Sequence, residues 1–211
     1  MSTQKRKLVQ SKIVYIPLGK ASEKRPLVCV ISGGQSGADE AALMAARRVG
    51  YATGGFSTKD IPAYNIKKVG DAQVRRHGGA LVARSIANVD QADGTVAFWA
   101  VNSAGTEKTI GYCVSGEWRS AARTAPSRFR PLLVLDVRTC SDVENNAQLI
   151  ANFVAKHNVE TLNVAGHRSD ERACLPGYSH LVEQTMVSAL EKVQKSQANL
   201  KRRKLNGLRF A

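Results

Sequence analysis

Apolar positions in this chain fall into short unbroken runs separated by stretches where they recur every three to four residues. Residues 27–32 open with Leu-Val-Cys-Val-Ile, a continuous run of the kind buried on both faces of a parallel sheet. The run ends in Gly33-Gly34, and a helix is predicted over about 36–49, with Ser36 as N-cap, Asp39 three residues on and Gly50 as the stop. Residues 51–56 read as a short strand, and 57–79 as a loop with at most one helical turn. Residues 94–99 (Gly-Thr-Val-Ala-Phe-Trp) form the next apolar strand, followed by a helix from roughly 106 to 115. Residues 131–136 supply a third strand. Ser141-Asp142-Val143-Glu144 has the form of a capping box, with Ser141 at the N-cap, and Val143, Ala147, Ile150 and Val154 follow on one helical face. Residues 161–164 read as a short strand ending in Ala165-Gly166. The last helix is expected over about 179–195, with Leu181, Val182, Met186, Ala189, Leu190 and Val193 inward.

Strands thus alternate with helices, which predicts an α/β fold with a mostly parallel sheet covered on both faces. The expected architecture is a Rossmann-like three-layer sandwich, one domain over 27–190. At 211 residues the chain suits one such unit, and no internal repeat is evident. No run of about 18 apolar residues occurs, so no membrane-spanning helix is expected. The N-terminus lacks the apolar core of a secretory signal. Cys29, Cys113, Cys140 and Cys174 are widely spread without a CxxC pair, and read as small buried residues in a reducing, intracellular setting.

Charge adds a second feature. Of the formal +14, residues 1–26 carry +6 and residues 191–211 carry +6, while 27–190 carries only +2. A near-neutral domain is therefore expected to bear a basic N-terminal extension (1–26) and a basic C-terminal tail (191–211). Such tails attract polyanions by counterion release. RNA is the expected partner, through 1–26, 191–211 and the acid-free segment 119–130 with Arg119, Arg123, Arg128 and Arg130. Lys201-Arg202-Arg203-Lys204 also has the form of a nuclear address in an otherwise cytoplasmic chain. The competing reading of all these segments is a solvated, solubilising surface.

In parallel α/β sheets, ligands sit beyond the carboxyl ends of the strands. Gly33-Gly34-Gln35-Ser36-Gly37 would place backbone N–H groups and a hydroxyl at one helix N-terminus, and Gly105-Thr106 would open a second helix in the same way. Two such termini at one crevice predict a site for a phosphate-bearing ligand. Arg84, Asn88, Asn163 and Arg168 are the side chains added to it, Arg168 as a guanidinium fork. Neither turn is a Walker loop or a GxGxxG fingerprint. His77, His157, His167 and His180 lack metal or triad spacing and are read as surface residues, and no metal ligand set or catalytic residue stands out.

Several segments in order resemble the molybdenum cofactor carrier proteins. They are Ile31-Ser-Gly-Gly-Gln-Ser-Gly-Ala-Asp39 with Ala41-Ala42-Leu43 and Gly54-Gly55; Arg84-Ser85-Ile86-Ala87-Asn88-Val89 with Ala92-Asp93-Gly94-Thr95; Gly105-Thr106 with Thr109; and Leu162-Asn163-Val164-Ala165-Gly166-His167-Arg168-Ser169 with Pro176-Gly177-Tyr178. The resemblance covers roughly 27–190. It implies a Rossmann-like fold related to the lysine decarboxylase-like, cytokinin-activating proteins. It further implies a homo-oligomer that holds the molybdenum cofactor (molybdopterin), or a related phosphorylated nucleotide-like ligand, without transforming it. The binding residues it implies are Gly33, Gly34, Gln35, Ser36, Gly37, Arg84, Asn88, Gly105, Thr106, Thr109, Asn163, Gly166 and Arg168. The cytokinin-activating relatives carry a catalytic glutamate where this chain has Thr109, which disfavours a nucleotide-processing hydrolase. Two further departures are Ala104 in place of a first glycine, and a segment 57–80 poor in acidic and aromatic residues. A structural RNA-binding role through the basic ends is the alternative to the carrier.

Overall fold

The computed structural model describes residues 13–14, 25–100, 103–115, 130–169 and 175–207. Most of the segments 1–26 and 119–130, together with Asn102, Cys174 and residues 208–211, lie outside them. The strands are β1 (Ile13–Val14), β2 (Cys29–Ile31), β3 (Ala52–Ser57), β4 (Ile66–Lys68), β5 (Gly94–Trp99), β6 (Leu132–Asp136) and β7 (Thr161–Gly166). The helices are α1 (Ala38–Val49), α2 (Asp71–His77), α3 (Ala80–Gln91), α4 (Ala104–Ser115), α5 (Val143–His157) and α6 (Tyr178–Gly207). The sheet order is β1-β6-β5-β7-β2-β3-β4. Six strands run parallel, and β1 pairs antiparallel with β6 through Ile13 opposite Leu133. Register is fixed at the centre by Val30 opposite Leu162 and Thr95 opposite Asn163.

The unbroken apolar runs become the central strands because both faces are covered. Helices α1, α5 and α6 pack together on one face and α2, α3 and α4 on the other, giving the three layers of a Rossmann-like fold. Val30, Val96, Phe98, Leu133, Leu135 and Leu162 are sealed under the first layer with Ile150, Met186 and Leu190. A smaller cluster of Val89, Ala97, Cys113 and Leu132 lies under the second. At about 25 cal/mol per Å² of apolar surface removed from water, the larger cluster dominates the driving force for folding.

Several local expectations are corrected. Helix α1 starts at Ala38; Gly37 is its N-cap residue, and Ser36 is exposed without capping it. Asp142, not Ser141, caps α5, its side chain accepting a hydrogen bond from the Asn145 amide at 3.0 Å. The segment 57–79 is not a plain loop: it contains a 3₁₀ turn (Pro62–Tyr64), β4 and α2. Helix α4 begins two residues early, and α6 runs on to Gly207, through most of the expected C-terminal tail. Gly50 does end α1, in the left-handed conformation at φ 91°. Of the described cysteines only Cys113 is fully buried; Cys29 and Cys140 are half-buried. Among the described residues, no helix is long and apolar enough to cross a membrane.

Candidate anion-binding site

The strand order reverses around β7, so the chain leaves β2 and β5 on opposite faces and opens a crevice at their carboxyl ends. A cavity of about 340 Å³ occupies it, lined from the β2–α1 turn, α3, the start of α4 and the end of β7. Ten of the expected residues line this cavity: Gly33, Gln35, Arg84, Asn88, Gly105, Thr106, Thr109, Asn163, Gly166 and Arg168. Gly34, Ser36 and Gly37 do not.

Their exclusion has a physical reason. Gly34 is left-handed at φ 67°, and a Cβ there would meet the Ile61 and Ile66 side chains at 2.7 and 2.8 Å. At Gly37 (φ 101°) a Cβ would strike the His167 carbonyl oxygen at 2.3 Å. These glycines serve close packing. The start of α1 is also already occupied: the Ala38 amide donates to the His167 carbonyl at 3.0 Å, and the Gln35 amide donates to Asp39 Oδ2 at 3.4 Å. The glycine turn is therefore closed by protein, and a carboxylate stands at its mouth.

Arg84 is similarly engaged. Its guanidinium lies over Gly33, where a Cβ would overlap it, and it donates to Asp39 Oδ2 at 2.9 Å and to Gln35 Oε1. Asn88 is clamped to β3: its Oδ1 accepts from the Phe56 amide at 2.7 Å, and its Nδ2 donates to the Phe56 carbonyl at 3.0 Å. Asn163 Nδ2 donates to Thr95 Oγ1 at 3.2 Å, and Thr109 Oγ1 donates to the Gly105 carbonyl at 3.1 Å. Gly166 admits the Tyr178 hydroxyl, which donates to the Phe98 carbonyl and accepts from the His167 amide, each at 3.0 Å. These residues line the cavity with polar groups that are also engaged within its wall.

The opposite wall differs. The first intrahelical bond of α4 runs from the Glu107 amide to the Ser103 carbonyl, so the amides of Ala104, Gly105 and Thr106 point out of the helix end. Thr106 is 3% exposed, and its Oγ1 has no hydrogen-bond partner among the described residues. Gly105 is not required by packing: a Cβ there meets nothing closer than Ser103 Oγ at 3.8 Å. A buried, unpartnered hydroxyl is costly unless something else satisfies it. The positive end of the helix dipole, Lys108 and Arg168 border this same cavity.

Sequence reading did not single out Asp39, Leu81, Val82, Ser85, Ser103, Lys108, Val164 and Ala165 as lining residues. A signal existed for two groups of them. Leu81, Arg84, Ser85 and Asn88 recur at helical spacing, and Lys108 lies three residues after Gly105 on the same face of α4. His167, expected at the surface, is 1% exposed and sits edge-on to Trp99 and Tyr178, with ring centroids 6.4 and 6.0 Å away.

Residues 30–188 match the profile of the circularly permutated YpsA SLOG family. A crystal structure of a candidate molybdenum carrier protein from Syntrophus aciditrophicus SB is similar, with a TM-score of 0.62 and 23% identity, over 80% of this chain and 98% of that one. At that identity the likeness shows a shared fold. No curated protein matches the chain.

Proposed function

The chain belongs to the circularly permutated YpsA SLOG family, and from that premise we propose that it is a binding protein for a phosphate-bearing anionic cofactor, the molybdenum cofactor as cargo. The observation that carries this reading is the buried, unpartnered Thr106 hydroxyl at the start of α4. The terminal phosphate of the cargo would take the Thr106 hydroxyl and the amides of Ala104, Gly105 and Thr106. Lys108 and Arg168 would balance the remaining charge of a ligand that is anionic at both its phosphate and its oxo-molybdenum end. The likeness to a molybdenum carrier's fold supports the choice of cargo. The unneeded smallness of Gly105 supports close approach of a ligand to the backbone.

A holder is favoured over a nucleotide hydrolase by the carboxylates. Among the described residues, Asp39 is the acid that lines the cavity, and it is committed to Arg84; Glu107 is exposed on α4. Proton transfer needs a base within hydrogen-bond reach of the reacting group, and position 109 offers a threonine hydroxyl bonded to its own helix.

The test is a binding titration of phosphorylated pterin against the wild type, Thr106→Val and Arg168→Ala. Both variants should weaken binding while the unfolding midpoint is kept. Equal affinity in all three would overturn the assignment of this wall. Gly34→Val is unsuitable as a probe, because its left-handed backbone and the two isoleucines against it make a folding defect the expected result.

A further inference from the structure

Helix α6 is about 45 Å long at 1.5 Å per residue, yet its last buried residue is Val193. From Gln194 it continues to Gly207 for about 20 Å more. Described side chains on this stretch are exposed, apart from a half-exposed Gln197. Lys195, Lys201, Arg202, Arg203 and Lys204 fall on it without one acidic residue. Attraction to the helix dipole accounts for cations in the last turn only, so it does not explain Lys195, three turns before the end. Apolar positions on the stretch are Ala198, Leu200 and Leu205, too few for a face that lies in a lipid surface.

Topology fixes where this arm stands. Every helix that follows a parallel strand returns toward the strands' amino ends, so α6 ends at the pole opposite the cavity. The Gln194 side chain confirms this by donating to the Val49 carbonyl, the last residue of α1, at 2.9 Å. Arg25 enters at the same pole, its amide donating to Asn158 Oδ1 at 2.7 Å, and Arg47, Arg48 and Lys156 end α1 and α5 there. Arg25 and Arg48 are paired there with Glu160 and Glu183, so the acid-free charge at this pole is that of the α6 arm, while the other pole holds the cavity.

We propose that this pole, with the α6 arm as its reading element, docks on duplex DNA. An α-helix with side chains is about 10–12 Å across, which matches the roughly 12 Å major groove of B-form DNA. The deep, narrow major groove of A-form RNA does not admit it. The exposed Lys195 and Arg202 reach phosphates from the arm, and the binding is electrostatic and little dependent on sequence. RNA, the partner expected from composition, is the competing outcome that the test below distinguishes.

The experiment uses the full chain and a labelled 20-base-pair DNA duplex in fluorescence anisotropy, with an RNA duplex and phosphatidylserine vesicles in parallel. Affinity for DNA is expected to fall on the order of 100-fold between about 50 and 200 mM salt, as for roughly four phosphate contacts. The double variant Lys195→Glu/Arg202→Glu, at exposed positions, is expected to lose at least about tenfold in affinity and to flatten the salt slope by about two. Circular dichroism of that variant should retain the wild-type helix content. Three results would each overturn the proposal: no DNA binding at low salt, charge reversal without effect, or tighter binding to the RNA duplex or the vesicles.

Discussion

Arg84 and Asp39 meet at 2.9 Å across the floor of the cavity, with side chains only 14% and 8% exposed. The contact joins α3 to the first turn of α1, and it explains Gly33: the guanidinium occupies the space a side chain would take. The pair neutralises itself, and the other charged residues that line the cavity are Lys108 and Arg168.

Removing one partner leaves a largely buried charge uncompensated. Arg84→Ala is expected to cost about 3 kcal/mol of unfolding free energy. Arg84→Met combined with Asp39→Leu should recover most of that loss, since apolar replacement of a buried pair is often near neutral. Urea denaturation of the wild type and these two variants measures this; an Arg84→Ala variant as stable as wild type would show that the pair contributes nothing.

Thr106→Val separates binding from folding. It replaces an unsatisfied buried hydroxyl with a methyl of similar shape, so stability should hold or rise by up to about 1 kcal/mol. Ligand affinity should fall at the same time. A loss of stability in the ligand-free protein would mean that the hydroxyl has a structural partner.

The helix cap of α5 is a further check. Asp142→Ala is expected to cost about 1 kcal/mol, and Ser141→Ala only a few tenths. Thermal denaturation distinguishes them, and the reverse order would restore Ser141 as the cap.

Acid should weaken the fold in two steps. Burial, and then the neighbouring Lys156 charge, hold His157 below its ordinary value of 6.5. The folded state therefore disfavours the imidazolium, and this contribution is present above pH 6.5 and lost as pH falls below it. Asp136 is held below its ordinary 3.8, chiefly by hydrogen bonds from Arg138, so its contribution fades only in stronger acid. Melting temperature should drop between about pH 7.5 and 5, and His157→Phe, at a ring position tilted against Phe153, should flatten that drop. An unchanged pH profile in His157→Phe would assign the loss elsewhere.

Most of the sheet was legible because its central strands are buried on both faces and therefore written as unbroken apolar runs. The region 57–79 was not, since α2 has no buried residue to set a helical period and β4 contributes Ile66 as its buried position. Caps misled for a local reason: Ser36 and Ser141 have suitable side chains, but the helices start after Gly37 and Asp142. The cavity residues were largely visible as a set, while their division of labour was not. That the His167 carbonyl closes the start of α1, and that Arg84 belongs to Asp39, are contacts between segments far apart in sequence. The anion seat we propose accordingly lies at the start of α4 rather than at the glycine turn at 33–37.

Mass spectrometry of the small molecule retained by the purified chain tests that seat most directly, comparing wild type with Thr106→Val and Arg168→Ala at equal folded concentration. A phosphate-bearing pterin in the wild type, depleted in both variants, is the predicted result. Retention of the same molecule at equal occupancy in all three, or of a ligand that carries no phosphate, would contradict it.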